Sequence, residues 1–177
     1  MISSERTQNI IVTFVIITAV VSSILLVSNA QYYSGSYLLA GKMEVNLLRS
    51  TVDNIDPSNA SIYPSISFTF NFRTDSPIDG NVRLGYIRAT LWLNEDLLSL
   101  TPLSSFPNNE YVHPGYDSNF TLGTTLDSDP DRTTILDAYS ADTWNWYIRL
   151  RYSIISFDED RSTVTRTLYF NWTGSTV

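Results

Sequence analysis

Ile62-Tyr-Pro-Ser-Ile-Ser-Phe-Thr-Phe-Asn-Phe72 alternates in chemistry almost from end to end: Ile62, Ile66, Phe68, Phe70 and Phe72 are apolar, while Ser61, Ser65, Ser67, Thr69 and Asn71 between them are polar. Successive side chains of an extended chain point to opposite faces, so the pattern predicts a β-strand with one face in a core and one in solvent. Phenylalanine at three successive inward positions needs a deep apolar layer opposite, and a second sheet supplies one.

On its N-terminal side, Asp53-Asn-Ile-Asp-Pro-Ser-Asn59 is dense in residues that bond their own backbone or fix φ, and predicts a turn. Before it, Leu38 to Val52 reads as a first strand with a bend at Gly41 and Met43, Val45 and Leu47 on one face. After Phe72, the turn Asp75 to Asn81 leads into Val82 to Leu93. There the apolar parity switches across Gly85, from Val82 and Leu84 to Ile87, Ala89, Leu91 and Leu93, which predicts a β-bulge at the glycine. Asn94-Glu95-Asp96 reads as a hairpin tip before a strand at Leu97 to Leu103. Ser104 to Ser118 reads as loop, and Asn119 to Leu126 as a short strand.

Asp129-Pro130-Asp131 predicts a helix start, with Asp129 as N-cap and Pro130 at the first helical position. Ile135, Leu136 and Tyr139 would face inward on a short helix ending near Ser140. The closing pair is the most regular. Trp144, Trp146, Ile148, Leu150, Tyr152 and Ile154 alternate against Asn145, Arg149, Arg151 and Ser153. Beyond the turn Asp158-Glu159-Asp160, Val164, Leu168, Phe170 and Trp172 alternate against Thr163, Thr165, Thr167 and Asn171. About seven strands and one short helix predict a mainly β, two-sheet, immunoglobulin-like sandwich.

A different physics governs the start of the chain. Ile10 to Val27, IIVTFVIITAVVSSILLV, is apolar but for Thr13, Thr18, Ser22 and Ser23, and no charge occurs from Thr7 through Gly41. As a helix at roughly 1.5 Å per residue the run is about 27 Å long, close to the thickness of bilayer hydrocarbon. The chain therefore divides into a head at 1–9, a transmembrane helix at 10–28, a juxtamembrane segment at 29–41, a β domain at 42–173 and a tail at 174–177. A cleavable signal peptide is the rival reading, because Ser28-Asn29-Ala30 before Gln31 suits a signal peptidase. Against it, the apolar run exceeds a usual signal core, and Tyr32 and Tyr33 stand where an interfacial aromatic belt would lie.

Composition removes several function classes. The 177 residues contain no cysteine, which excludes a disulfide framework, a thiol nucleophile and thiolate metal sites. A net charge of −7 with a single lysine, Lys42, argues against a nucleic-acid partner, which needs clustered cations. His113 is the one histidine, and no Gly-x-Ser-x-Gly accompanies it, so a loop residue is the plainer reading than a triad member. Asp127, Asp129 and Asp131 have the spacing that opens a calcium loop, but Arg132 replaces the required glycine and Ala138 the bidentate glutamate. No catalytic, cofactor-binding or metal-ligating residue is assigned, and no cofactor is expected. Trp92, Trp144 and Trp146 read either as core aromatics or as an exposed patch for lipid or a partner.

From about Lys42 to Trp172 the chain resembles the LEA-2 family, the water-stress and hypersensitive-response type of sandwich often carried behind one N-terminal membrane helix. The resemblance rests on Ser65-Ile-Ser-Phe-Thr-Phe-Asn-Phe72 running into Asp75-Ser-Pro-Ile78, on Ala89-Thr-Leu-Trp-Leu-Asn-Glu-Asp96, and on Pro114-Gly115 before Asn119-Phe-Thr-Leu122. Trp146-Tyr-Ile-Arg-Leu-Arg-Tyr152 completes it. The turn here is Thr74-Asp-Ser-Pro-Ile78 and lacks the doubled Asn-Pro usual in that family. The resemblance implies a stress- or lipid-associated domain at a membrane surface and supplies no catalytic residues.

The sequons at Asn59, Asn119 and Asn171 all follow the apolar run and, with Arg6 in the head, place the N-terminus in the cytoplasm and the domain outside it. The expected partner is the lipid bilayer, and the expected function is non-enzymatic stress protection or surface interaction. The alternative is a pilin-like filament subunit, which also joins an apolar N-terminal helix to a β domain. Thr7-Gln8-Asn9, in place of a basic head ending in a small residue, speaks against it.

Overall fold

A computed structural model describes residues 4–75, 80, 82–98, 103–107, 110–156 and 163–175. Helix α1 (Ser4–Gly41) is continuous, with no proline to break it. The hydroxyls of Thr18 and Ser23 donate to the carbonyls of Phe14 and Ala19, at 2.9 and 2.8 Å, so they need no water along the apolar run. This helix is long and apolar enough to cross a membrane, and none of its most apolar window is buried in the protein. Its last turns behave otherwise. Gly35, Ser36, Leu39 and Ala40 are buried, a stripe at i, i+4 spacing, while Tyr37 points into solvent.

That stripe corrects the first strand expected from Leu38. Leu39 and Ala40 bury at helical period, the helix persists to Gly41, and β1 (Glu44–Asp53) opens only at Glu44. Gly41 ends a helix and does not bend a strand. Residues 29–41 are thus helical and join the apolar run to the domain without a break.

Strand β2 (Ser65–Arg73) alternates as expected, with Ile66, Phe68, Phe70 and Phe72 buried. It opens after Pro64, which has no N–H for the ladder, so Ile62 lies outside the strand and partly exposed. β2 sits between β1 and β7 (Asp117–Thr125) in an antiparallel three-stranded sheet. The second sheet has six strands: β3 (Val82–Leu93), β8 (Asn145–Ser156) and β9 (Thr163–Thr173), with β4 (Asp96–Leu97), β5 (Leu103–Ser105) and β6 (Tyr111–Val112) paired along β3. The described strands therefore number nine and not seven. Where one strand is expected at Leu97 to Leu103, β4 ends at Leu97 and β5 begins at Leu103, and β6 lies in the stretch from Ser104 to Ser118 that reads as loop. Much of the expected strand at Leu97 to Leu103, like the turns at Ser76–Asp79 and Asp158–Asp160, lies outside the described residues.

The two sheets meet through aromatic edges. Phe68 packs against Trp146 with centroids 5.0 Å apart, Phe72 against Tyr152 at 5.3 Å, and Phe70 against Phe170 at 5.7 Å. The first two pairs are edge-to-face and the third is tilted by 55°, and such ring pairs add to the area term of burial. Between Leu84 and Ile87 the β3–β8 register shifts by one, so Gly85 and Tyr86 together oppose Ser153. The bulge falls at the predicted glycine. A Cβ there would press on Ser153 Oγ and come within 3.1 Å of Ile155 Cδ1.

Helix α2 (Asp129–Ala141) closes one end of the sandwich. Its N-cap is Ser128, whose Oγ accepts from the Asp131 N–H, so Asp129 is the first helical residue and not the cap. Ile135 and Ala138 face the core, while Tyr139 is exposed and Leu136 only half-buried, one step from the expected face. β9 departs further. Val164 is exposed and Leu168, Phe170 and Trp172 are half-buried, because β9 is the edge of a wide sheet that a three-stranded sheet does not cover fully.

Candidate binding face

Register brings together on the outer face of the six-stranded sheet residues that lie far apart in sequence. Trp92, Tyr147 and Asn171 form one cross-strand row, Thr90, Arg149 and Tyr169 the next, and Arg88, Arg151 and Thr167 a third. Polar parity on β3, β8 and β9 sends all nine outward. The Trp92 and Tyr147 rings lie 5.2 Å apart, and Tyr147 stacks on Tyr169 at 5.9 Å with the planes 12° from parallel. The Arg149 guanidinium sits 5.6 Å from the Trp92 ring centre and donates to Thr90 Oγ1 at 3.5 Å. Its Nε is buried with no hydrogen-bond partner.

Two hollows interrupt the face. One, of about 290 Å³, is lined by Tyr86, Arg88, Ser104, Phe106 and Arg151. The other, of about 820 Å³, lies at the end of the sheet and is lined by Trp92, Asn94, Glu95, Asn145, Tyr147 and Asn171 among others. Helix α1 docks at the opposite end: a Cβ on Gly80, two residues before β3, would meet Gly35 and Ser36. From Leu84 to Leu93 the strand climbs about 30 Å at ~3.3 Å per residue, so the larger hollow is at the far tip from the apolar helix.

The residues singled out in the sequence fall in different places. Trp144 and Trp146 are buried, and Trp92 alone of the three belongs to the half-exposed face. His113 is exposed, with Nδ1 3.1 Å from the Pro114 carbonyl oxygen and the ring edge-on to Tyr116. Asp129 accepts from the Tyr63 hydroxyl at 2.7 Å and Asp131 is buried in the first turn of α2. Among the described residues no group of three or more His, Cys, Asp or Glu converges as a metal site would. All three sequon asparagines are exposed: Asn59 in a turn, Asn119 on the outer face of β7, and Asn171 beside the larger hollow.

Arg88, Tyr147 and Tyr169 escaped attention in the sequence. Arg88 and Arg151 occupy polar positions of their strands, which is visible, but their opposition depends on a register that the bulge at Gly85 resets. No family model matches the chain, and no curated protein matches it. Solved structures with some likeness include Northeast Structural Genomics Consortium target SoR45, with 12% identity and a TM-score of 0.47 over 78% of this chain and 89% of that one. A protein from Archaeoglobus fulgidus has 7% identity and a TM-score of 0.45, over 75% of this chain and 98% of that one. A β-glucosidase from Kluyveromyces marxianus has 14% identity and a TM-score of 0.29, and the chain covers 15% of it. Likeness at this level bears on neither activity nor partner.

Proposed function

We propose that the chain is a non-enzymatic single-pass membrane protein that holds a LEA-2-like, immunoglobulin-like sandwich outside the cytoplasm as a binding or protective module. The observation that carries the reading is the two-part character of α1: Ile10 to Val27 is exposed along its whole length, while Leu39 and Ala40 are packed into the core. An apolar surface of that extent is unstable in water and stable in lipid. The orientation draws support from the three sequon asparagines, which all project from the domain surface. The test is extraction of the native protein followed by reading of its N-terminal residue and protease digestion of sealed membranes. Detergent-dependent extraction, an intact Met1 and cleavage of the domain from outside are expected. Release without detergent, or a start at Gln31, would overturn the anchor.

The pilin-like reading survives on one observation. A helix free along its apolar half and docked along its last turns is also built to pack against copies of itself. A mature start near Ile10, with filaments visible by negative stain, would favour it over the anchor.

A further inference from the structure

We propose that the outer face of the six-stranded sheet binds an acidic polysaccharide, with Arg88 and Arg151 holding its carboxylate or sulfate groups and Tyr169, at the open end of the aromatic row, stacking on a sugar ring. Arg88 and Arg151 are directly opposed across β3 and β8, and both side chains are exposed. Like charges at opposed positions of an antiparallel pair repel and are destabilising when nothing lies between them. Among the described residues neither arginine has a carboxylate partner; the ion pair that is formed, Arg73 with Glu44 at 2.8 Å, lies on the other sheet. No carboxylate occurs at the outward positions of β3, β8 or β9 either. In a chain of net charge −7, three strands whose outward positions carry arginines and no carboxylate complement an anion, and Glu95 borders them only at the hairpin tip, beside the larger hollow and away from the Arg88–Arg151 pair. The hollow of about 290 Å³ between the two guanidinia, with the Ser104 hydroxyl and the Tyr86 and Phe106 rings on its walls, is the size of one charged group and part of a ring.

The choice of a polysaccharide follows from what surrounds the charges. A pyranose ring presents axial C–H bonds to an aromatic face and hydroxyls at its rim. Within the aromatic row the Tyr147 ring is stacked on Tyr169 and the Trp92 ring carries the Arg149 guanidinium, so Tyr169 is the ring that offers a face to a sugar, and Asn145, Asn171, Thr90 and Thr167 set short amides and hydroxyls beside it. Tyr169 is 60% exposed because β9 is the sheet edge, so one of its ring faces is open to stacking. A lipid headgroup fits less well, since the aromatic end of the face lies about 30 Å along the strand from the helix that meets the bilayer. The proposal rests on the extracytoplasmic reading above.

The test uses the full chain in detergent and polygalacturonate as probe, with neutral dextran, poly-L-glutamate, oligo-dT and anionic vesicles as rivals. Polygalacturonate is expected to bind in a salt-sensitive manner and to raise Tm. Arg88→Ala and Arg151→Ala are each expected to weaken binding roughly 3- to 10-fold, as loss of a charge-assisted contact does. Tyr169→Ala is expected to weaken it about fivefold through lost stacking. Because the arginines repel each other, Arg151→Ala should raise Tm of the free protein, which separates loss of binding from loss of fold. Equal binding to dextran, tighter binding to poly-L-glutamate, oligo-dT or vesicles, no binding, or arginine variants that bind unchanged would each overturn the proposal. The orientation is read separately by the protease digestion above, so failure of one is not mistaken for failure of the other.

Discussion

Gly80 stands against Ser36 with no room between them for a side chain: a Cβ on Gly80 would overlap the Ser36 backbone and lie 2.6 Å from the carbonyl carbon of Gly35. The obstacle is backbone, which cannot rotate away as a flexible side chain can. Gly80→Ala is therefore expected to lever the last turns of α1 off the domain, uncovering Leu39 and Ala40, at a cost of about 2 kcal/mol. Thermal unfolding should show a lower Tm, and limited proteolysis should cut near residue 41 in the variant first. An unchanged Tm and digestion pattern would show that the helix end is not seated against this glycine.

Trp146 and Trp92 should part company under truncation. Trp146 is buried, edge-on to Phe68, and donates through Nε1 to Ser175 Oγ at 3.2 Å. Trp146→Ala is expected to destabilise by roughly 3–5 kcal/mol, the range for large aromatic truncations in a core. Trp92→Ala, on the half-exposed outer face, should stay near 1 kcal/mol. Urea titrations of the two variants measure the difference directly, and similar midpoints would contradict the assignment of faces.

The β3–β4 hairpin holds a correctable strain. Asn94 and Glu95 both have positive φ, 49° and 77°, the pattern of a two-residue type I′ turn. Asparagine tolerates that region and glutamate does not, whereas glycine is favoured at the second position. Glu95→Gly is expected to stabilise the domain by about 0.5–1 kcal/mol despite the added freedom of the unfolded chain. A fall in Tm would show that the glutamate side chain contributes something the backbone account omits.

Alkaline conditions should loosen the sandwich through two tyrosines. Burial, followed by the hydrogen bond its hydroxyl donates to Glu110 at 2.7 Å, raises the pKa of Tyr116 above the ordinary 10.0. Burial raises that of Tyr152 too, opposed by the Arg166 charge. In the native state both hold their protons where the unfolded chain would lose them. Their contribution to stability is whole below the ordinary value of 10.0 and falls as pH rises above it. Tyr116→Phe should flatten the decline of Tm between about pH 9 and 11, since phenylalanine has no proton to lose. A parallel decline in variant and wild type would remove Tyr116 as a cause.

What is legible in the sequence is local. The alternation of Ile66 to Phe72, the glycine at the bulge and the inward row Trp146 to Ile154 each declare themselves within about ten residues, because period two is imposed by the strand itself. Residues 29–41 misled because Leu38, Leu39 and Ala40 are compatible with either period; only the surface that received them decides for a helix. β9 misled differently. Its apolar positions are where a strand needs them, but how deeply they bury depends on how many strands the opposing sheet has, and no window of sequence contains that number. The arginine face lies furthest from local reading. Arg88 and Arg151 are separated by about half of the β domain and meet only after the bulge has set which residue of β3 faces which of β8.

A helix that passes without interruption from Ile10 into the core at Leu39 leaves the domain no swivel. A sandwich on a loose tether samples every heading. One fixed to its helix turns only as the helix turns about its own axis, so the cationic face keeps a single bearing relative to the shaft, like the vane on a spindle. Neighbours that constrain the shaft would thereby aim the face, and a glycine pair inserted after Gly41 would set it adrift while leaving every strand in place.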